Sequence, residues 1–207
     1  MILHGLGADA VLFDCDGVLV DSEPVSYMAW SATLAAHGYR LDIDEFSDSV
    51  GGTETMVAQR FAPEIGADPT TLELEAQAAF REIAGQARGF EDAAVLVDRL
   101  ERSGIPIAVA TNGLRWRLDV LLAAIGLERL LSASVTADEV FRPKPAPDLY
   151  LAAARLTGVD PDRCLVLEDS PTGITAAKAA GCPVIAVERG MFDRSRLRDA
   201  DVIVTQV

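Results

Sequence analysis

A chain of 207 residues suits one large domain, or one core domain with a smaller domain inserted into it. Half of the residues are hydrophobic and 24% are charged, which supplies a full core and argues against disorder. The formal net charge of -14 repels nucleic acid and anionic membranes, so neither is expected as a partner, and an anionic ligand has to be met by a few well-placed cations.

The first predicted element is the apolar run Ala10-Val11-Leu12-Phe13. From residue 22 to residue 88 only helix patterns follow. Residues 27–37 close with Gly38. Residues 53–61 follow Gly51-Gly52 and are expected to stop at Pro63, and residues 70–87 follow Asp68-Pro69, a fitting helix start. This stretch is too long for one crossover connection, so 22–88 is read as a helical insertion.

From residue 91 helix and strand patterns alternate. Ala94, Leu96, Val97 and Leu100 fall near helical spacing before a stop at Gly104. An apolar run at 105–110 precedes a helix over 114–125 that ends at Gly126. Ser134-Val135 is a weak strand, residues 147–157 form a helix ended by Gly158, and Leu165-Val166-Leu167 is the next run. A helix over 172–180 ends at Gly181, and the runs 184–187 and 202–204 follow. Short, continuous apolar runs are what strands covered on both faces of a parallel sheet require. The order predicts an α/β fold: a doubly wound parallel sheet formed by 1–21 and 89–207, with a small helical domain at 22–88. Cys15, Cys164 and Cys182 are too few for a disulfide framework. No leader opens the sequence and no apolar run reaches about 18 residues, so a soluble, cytoplasmic protein is expected.

Ligands of an open parallel sheet bind beyond the carboxyl ends of its strands. The residues placed there are Asp14-Cys15-Asp16-Gly17, Thr111-Asn112-Gly113, Glu168-Asp169-Ser170 and, before the 147–157 helix, Pro143-Lys144-Pro145. Asp14 and Asp16, two apart in an extended segment, point to one side, and Gly17 lets the backbone turn. Their mutual repulsion, and that of Glu168 and Asp169, is relieved by a divalent cation, and Mg²⁺ prefers carboxylate and phosphate oxygens. The prolines on either side hold Lys144 in a defined direction, as a phosphate contact needs. Thr111, Asn112 and the backbone N–H groups beside them stand before a helix start, a place where anions bind. Each cluster alone is more simply a cap, a turn or a solvated lysine; the ordered set of four combines a nucleophile, a metal site and a phosphate clamp.

That set resembles the haloacid dehalogenase superfamily of phosphatases. The run from Phe13 to Glu23 resembles its first motif, Thr111-Asn112-Gly113 its second, Lys144-Pro145-Ala146-Pro147-Asp148 its third, and Glu168-Asp169-Ser170 with Gly173 its fourth. The resemblance covers nearly the whole chain and implies a Rossmann-like core whose 22–88 insertion is a small helical cap that closes over the substrate. It implies that Asp14 attacks phosphorus to form an aspartyl-phosphate and that Asp16 protonates the leaving oxygen and then activates water. It implies Mg²⁺ held by Asp14, by the Asp16 main-chain carbonyl and by Asp169 with Glu168, and phosphoryl oxygens held by Thr111, Asn112 and Lys144. The substrate would be a small phosphomonoester, a sugar phosphate or a phosphogluconate-like metabolite, and the chain a monomer or dimer. In the cap, Gly51, Gly52, Thr53 and Arg60 are candidates for specificity, with Arg81 and Arg88 as further cations.

Two other readings share these residues. A β-phosphoglucomutase of the same subgroup carries a cap-hinge histidine where this chain has Ser26, which argues for hydrolysis. A phospho-receiver domain also sets Asp, Thr and Lys on a parallel sheet, but needs neither Asp16 nor the insertion. His4, His37, Trp30 and Trp116 are read as tail, helix-end and packing residues.

Overall fold

The computed structural model describes residues 7–47 and 53–207, and its backbone divides into two compact units, Met1–Asp21 with Arg88–Val207 and Ser22–Ala87. Gly51, Gly52 and His4 lie outside the described residues. Strand β1 (Ala10–Phe13) opens the first unit. It is followed by a short strand β2 (Val20–Asp21), which pairs antiparallel with β3 (Arg88–Gly89). This two-stranded ribbon brackets the 22–88 stretch and is not read from the sequence, because two residues per strand are too few to show alternation.

The second unit holds α1 (Glu23–Ala36), α2 (Ile43–Ser47), α3 (Glu54–Ile65) and α4 (Pro69–Ile83), the last followed by a 3₁₀ turn over Ala84–Gln86. Its core gathers Trp30 and Leu34 of α1, Phe61 of α3 and Leu72 of α4, all buried. Thr53 caps α3 by accepting the Met56 N–H at 3.3 Å, and Asp68 caps α4 by accepting the Thr71 N–H at 2.9 Å. The expected stop at Pro63 is a misreading: α3 continues to Ile65 and ends at Gly66, which takes the left-handed conformation at φ 65°. Pro63 is exposed in the last turn, where one backbone bond is forgone, while Phe61 and Ala62 beside it are fully buried and hold the turn in place.

The first unit resumes with α5 (Glu91–Arg102), β4 (Ile107–Ala110), α6 (Arg115–Ala124), β5 (Ser134–Val135), α7 (Asp148–Thr157), β6 (Cys164–Glu168), α8 (Pro171–Ala180), β7 (Val184–Val187) and β8 (Val202–Val204). The strands form one six-stranded sheet in the order β5-β4-β1-β6-β7-β8, every pair parallel. All residues of β1, β6 and β7 are buried, as expected for strands covered on both faces. Ala10 and Leu12 pack with Leu149, Tyr150 and Ala153 of α7 and Ile174 of α8. Val11 and Phe13 are equally buried and, by strand alternation, serve the opposite face. Removing a ring like that of Phe13 from water contributes about 2–3 kcal/mol.

Phe13 stands between Val109 of β4 and Leu167 of β6. The next residues of those three strands therefore emerge side by side at one edge. The chain winds from β1 to β4 in one direction and to β6 in the other, so this edge is a switch point, where open α/β sheets bind ligands. No helix of the described residues is long and apolar enough to cross a membrane.

Candidate active site

Lys144 stands at the centre of this edge. Its Nζ donates to Asp14 Oδ1 at 2.6 Å and to Glu168 Oε1 at 2.7 Å, and all three side chains are buried. Asp14 comes from the end of β1, Glu168 from the end of β6, and Lys144 from the loop before α7, whose Lys144–Pro145 peptide is cis. Burial alone would lower the ammonium's proton affinity; the two carboxylates outweigh it and hold Lys144 above its ordinary range.

Glu168 has a full set of donors. Besides Lys144, the Tyr150 hydroxyl donates to Oε1 at 2.9 Å, and Oε2 accepts the Asp169 N–H at 2.9 Å, the Ser170 N–H at 2.9 Å and the Ser170 Oγ–H at 2.8 Å. Burial would raise its pKa, but Lys144 and the Ser170 groups hold it below the usual carboxylate range. Ser170 also caps α8 by accepting the Gly173 N–H at 3.0 Å. Gly173 has to lack a side chain, since a methyl there would overlap the Glu168 carboxylate. Gly17 is constrained twice: its φ is +79°, and a methyl on it would overlap the Asp169 carboxylate.

Asp16 is arranged differently. Its Oδ1 accepts from Arg117 NH2 at 3.1 Å, and its carboxylate is outside the close acidic group of Asp14, Glu168 and Asp169. Arg117, in the first turn of α6, is a site residue that sequence reasoning missed. No local signal marks it, because one of two arginines at a helix start looks like part of a solvated face.

Thr111 is buried at the end of β4, and its Oγ1 accepts the Gly113 N–H at 2.9 Å. Asn112 uses its side chain to fasten the lysine loop. Its Oδ1 accepts the Lys144 N–H at 2.8 Å and its Nδ2 donates to the Lys144 carbonyl at 3.2 Å. The side-chain amide thus has an occupation other than the phosphate contact expected of it. In the second unit Thr53 is the cap of α3, and Arg60 is exposed with its guanidinium 5.2 Å from the Phe61 ring centre. Arg81 and Arg88 are exposed, His37 ends α1 with its Nε2 2.6 Å from Glu75 Oε2, Trp30 is core and Trp116 is half-buried.

The donor set fits a divalent cation. Asp14, Glu168 and Asp169 each offer an oxygen within 4.8 Å of the others. Burial pushes the Asp14 carboxyl up to about 7 against the pull of Lys144, with Glu168 and Asp16 adding to the rise. Burial, with Glu168 and Asp14, pushes Asp169 well above the carboxylate range. Four carboxylates face two cations, Lys144 and Arg117, which leaves two negative charges for an ion of charge +2 to cancel. Hard oxygen donors of this kind suit Mg²⁺. Because Glu168 is saturated by five donors, Asp14 and Asp169 are the carboxylates with capacity to hold it.

Residues 8–181 match the family model for haloacid dehalogenase-like hydrolases. Hexitol phosphatase A of Escherichia coli K12 is 36% identical over 202 residues, which cover 93% of this chain and 88% of that protein. Fructose-1-phosphate phosphatase YqaB of the same organism is 34% identical over 181 residues, 86% of this chain and 95% of that protein. Among solved structures, CbbY from Rhodobacter sphaeroides in complex with phosphate has a TM-score of 0.85 at 26% identity, covering 96% of this chain and 94% of that one.

Proposed function

The chain belongs to the haloacid dehalogenase-like hydrolases and is a phosphoric monoester hydrolase, and we propose that it cleaves a small sugar phosphate or a similar metabolite through an aspartyl-phosphate on Asp14. The observation that carries the proposal is the buried bridge from Lys144 to Asp14 and Glu168. It fixes a carboxylate at the switch point and leaves one N–H of the ammonium free for a phosphoryl oxygen.

In the proposed reaction Asp14 attacks phosphorus, the bond from phosphorus to the ester oxygen breaks, and Asp16 gives that oxygen its proton. Asp16, now a carboxylate, takes a proton from water as the water oxygen attacks the phosphorus of the aspartyl-phosphate. The bond to Asp14 breaks and inorganic phosphate is released. Lys144 and the N–H groups near Thr111 stabilise charge on the phosphoryl oxygens, with Glu168 and Asn112 holding Lys144 in place. Asp14 and Asp169, with the Asp16 main-chain carbonyl, are the proposed Mg²⁺ ligands. When bound, the ion neutralises charge on the transferring group. The Ser22–Ala87 unit is proposed as the family's cap, which selects the substrate, and Ser26 supports hydrolysis over mutase action.

Magnesium supplies the test. Chelation is expected to abolish phosphate release from a generic aryl phosphate, and restoring Mg²⁺ to recover it. Independently of turnover, Mg²⁺ at about 100 times its dissociation constant is expected to stabilise the fold by about 2.7 kcal/mol, read as a rise in melting temperature. Asp169→Asn should lose both effects. Hydrolysis that survives chelation sinks the metal assignment.

A further inference from the structure

We propose that Arg117 is the positioning residue for Asp16: its grip on one carboxylate oxygen fixes the direction from which the Asp16 side chain meets the leaving group. The inference rests on the acid–base reading of Asp16 given above. The Arg117 side chain is only 12% exposed, whereas that of Asp16 is 28% exposed, so the buried partner anchors the more accessible one. NH2 of Arg117 takes Oδ1 of Asp16 at 3.1 Å. The other oxygen, Oδ2, lies beside Gly113, 3.8 Å from where a side chain there would begin.

The helix that carries Arg117 is itself clamped. Arg115, two residues earlier on α6, donates from NH1 to Ser134 Oγ at 2.7 Å and from NH2 to Glu139 Oε2 at 2.6 Å. Its N–H donates to Asp138 Oδ1 at 3.1 Å. Residues two apart on a helix point in nearly opposite directions, at about 200°. Arg115 therefore faces the β5 loop and Arg117 faces the β1 loop. The first turn of α6 is held between the two, and the guanidinium reaches Asp16 from a fixed base. A general acid carried on a turn needs such support, because proton transfer depends on heavy atoms meeting at hydrogen-bond distance.

A positioning role is separable from substrate binding and from folding by its dependence on the leaving group. An alkyl phosphate needs a proton on its departing oxygen; 2,4-dinitrophenyl phosphate does not. Values of kcat/KM, which report the first chemical step, are to be measured on glycerol 2-phosphate and on the dinitrophenyl ester for Arg117→Met, Arg117→Lys and Asp16→Asn. For Arg117→Met we expect a loss of about 10-fold or more on the alkyl ester, part of the 10²–10⁴ that a general acid supplies, and less than about 3-fold on the activated one. Arg117→Lys should recover part of the alkyl activity and keeps a cation in the site should the methionine variant not fold. Equal losses on both esters, or none in either variant, overturn the proposal. Asp16→Asn must show the same leaving-group pattern more strongly. If it does and the Arg117 variants do not, only the positioning role fails; if it does not, the acid–base reading of Asp16 fails and the Arg117 proposal with it.

Discussion

Gly173 and Gly104 show what a single side chain does inside the site and away from it. Both are glycines, but the structure needs them for different reasons. Gly104 has φ +67° and open space around its missing side chain, whereas Gly173 is helical and faces the Glu168 carboxylate. Gly104→Ala is expected to cost about 1 kcal/mol of left-handed strain and to leave activity intact. Gly173→Ala is expected to cost about 1–3 kcal/mol, because overlap forces the carboxylate to move. That movement removes a partner from Lys144 and lowers kcat as well. Thermal melts and steady-state rates on the pair check this, and an active Gly173→Ala enzyme would show that the Glu168 collar is not needed. At this scale much of the site was legible in the sequence: Asp14, Lys144, Glu168 and Asp169 each follow an apolar run or stand in a restricted loop. Arg117 was not, since its partner Asp16 lies 101 positions away.

Helix starts carry site residues, and their caps differ in what else they do. Asp68 caps α4 and touches only the first turn, through the N–H and the hydroxyl of Thr71. Ser170 caps α8 and at the same time donates to Glu168. Both alanine variants are expected to lose about 1 kcal/mol of stability, but only Ser170→Ala should also lower kcat. Equal activity in the two variants would separate the cap from the site. At the start of α5, Asp92 binds Arg189 NH2 at 2.8 and 3.0 Å and accepts the Val207 N–H at 2.9 Å. Burial works against its charge, but these donors prevail and its pKa is lowered. A carboxylate with a lowered folded pKa adds stability above its unfolded pKa and loses it as pH falls through the folded one. Asp92→Asn should therefore destabilise at neutral pH and show less acid sensitivity than the parent below about pH 4. Denaturant midpoints across pH 2–7 measure both. Of the elements, the sheet strands and the helices of the first unit follow their apolar patterns closely. The ribbon of β2 and β3 and the passage of α3 through Pro63 did not, because both are decided by pairing and burial rather than by local preference.

Taken as a whole the molecule is an anion, with a net charge of -14. Its proposed substrate is an anion too. Long-range repulsion of this kind is screened by salt over about 8–10 Å at moderate ionic strength. Adding monovalent salt at saturating Mg²⁺ is thus expected to raise kcat/KM by about twofold before it plateaus, the opposite of an electrostatically steered enzyme. A steady fall would mean that the site's local cations dominate the field met by the substrate. The acidity and this consequence come from composition alone. The α/β class, the order of the strands along the chain and the four ordered motifs come from the sequence pattern, because hydrophobic period and loop chemistry are local and are written one segment at a time. Which strands are neighbours, that β1 lies between β4 and β6, and that Arg117 meets Asp16 while Asn112 turns to the Lys144 backbone were decided only in three dimensions. Those are contacts between segments far apart in the chain, and their energies depend on distance, burial and competing partners that no single stretch of sequence contains.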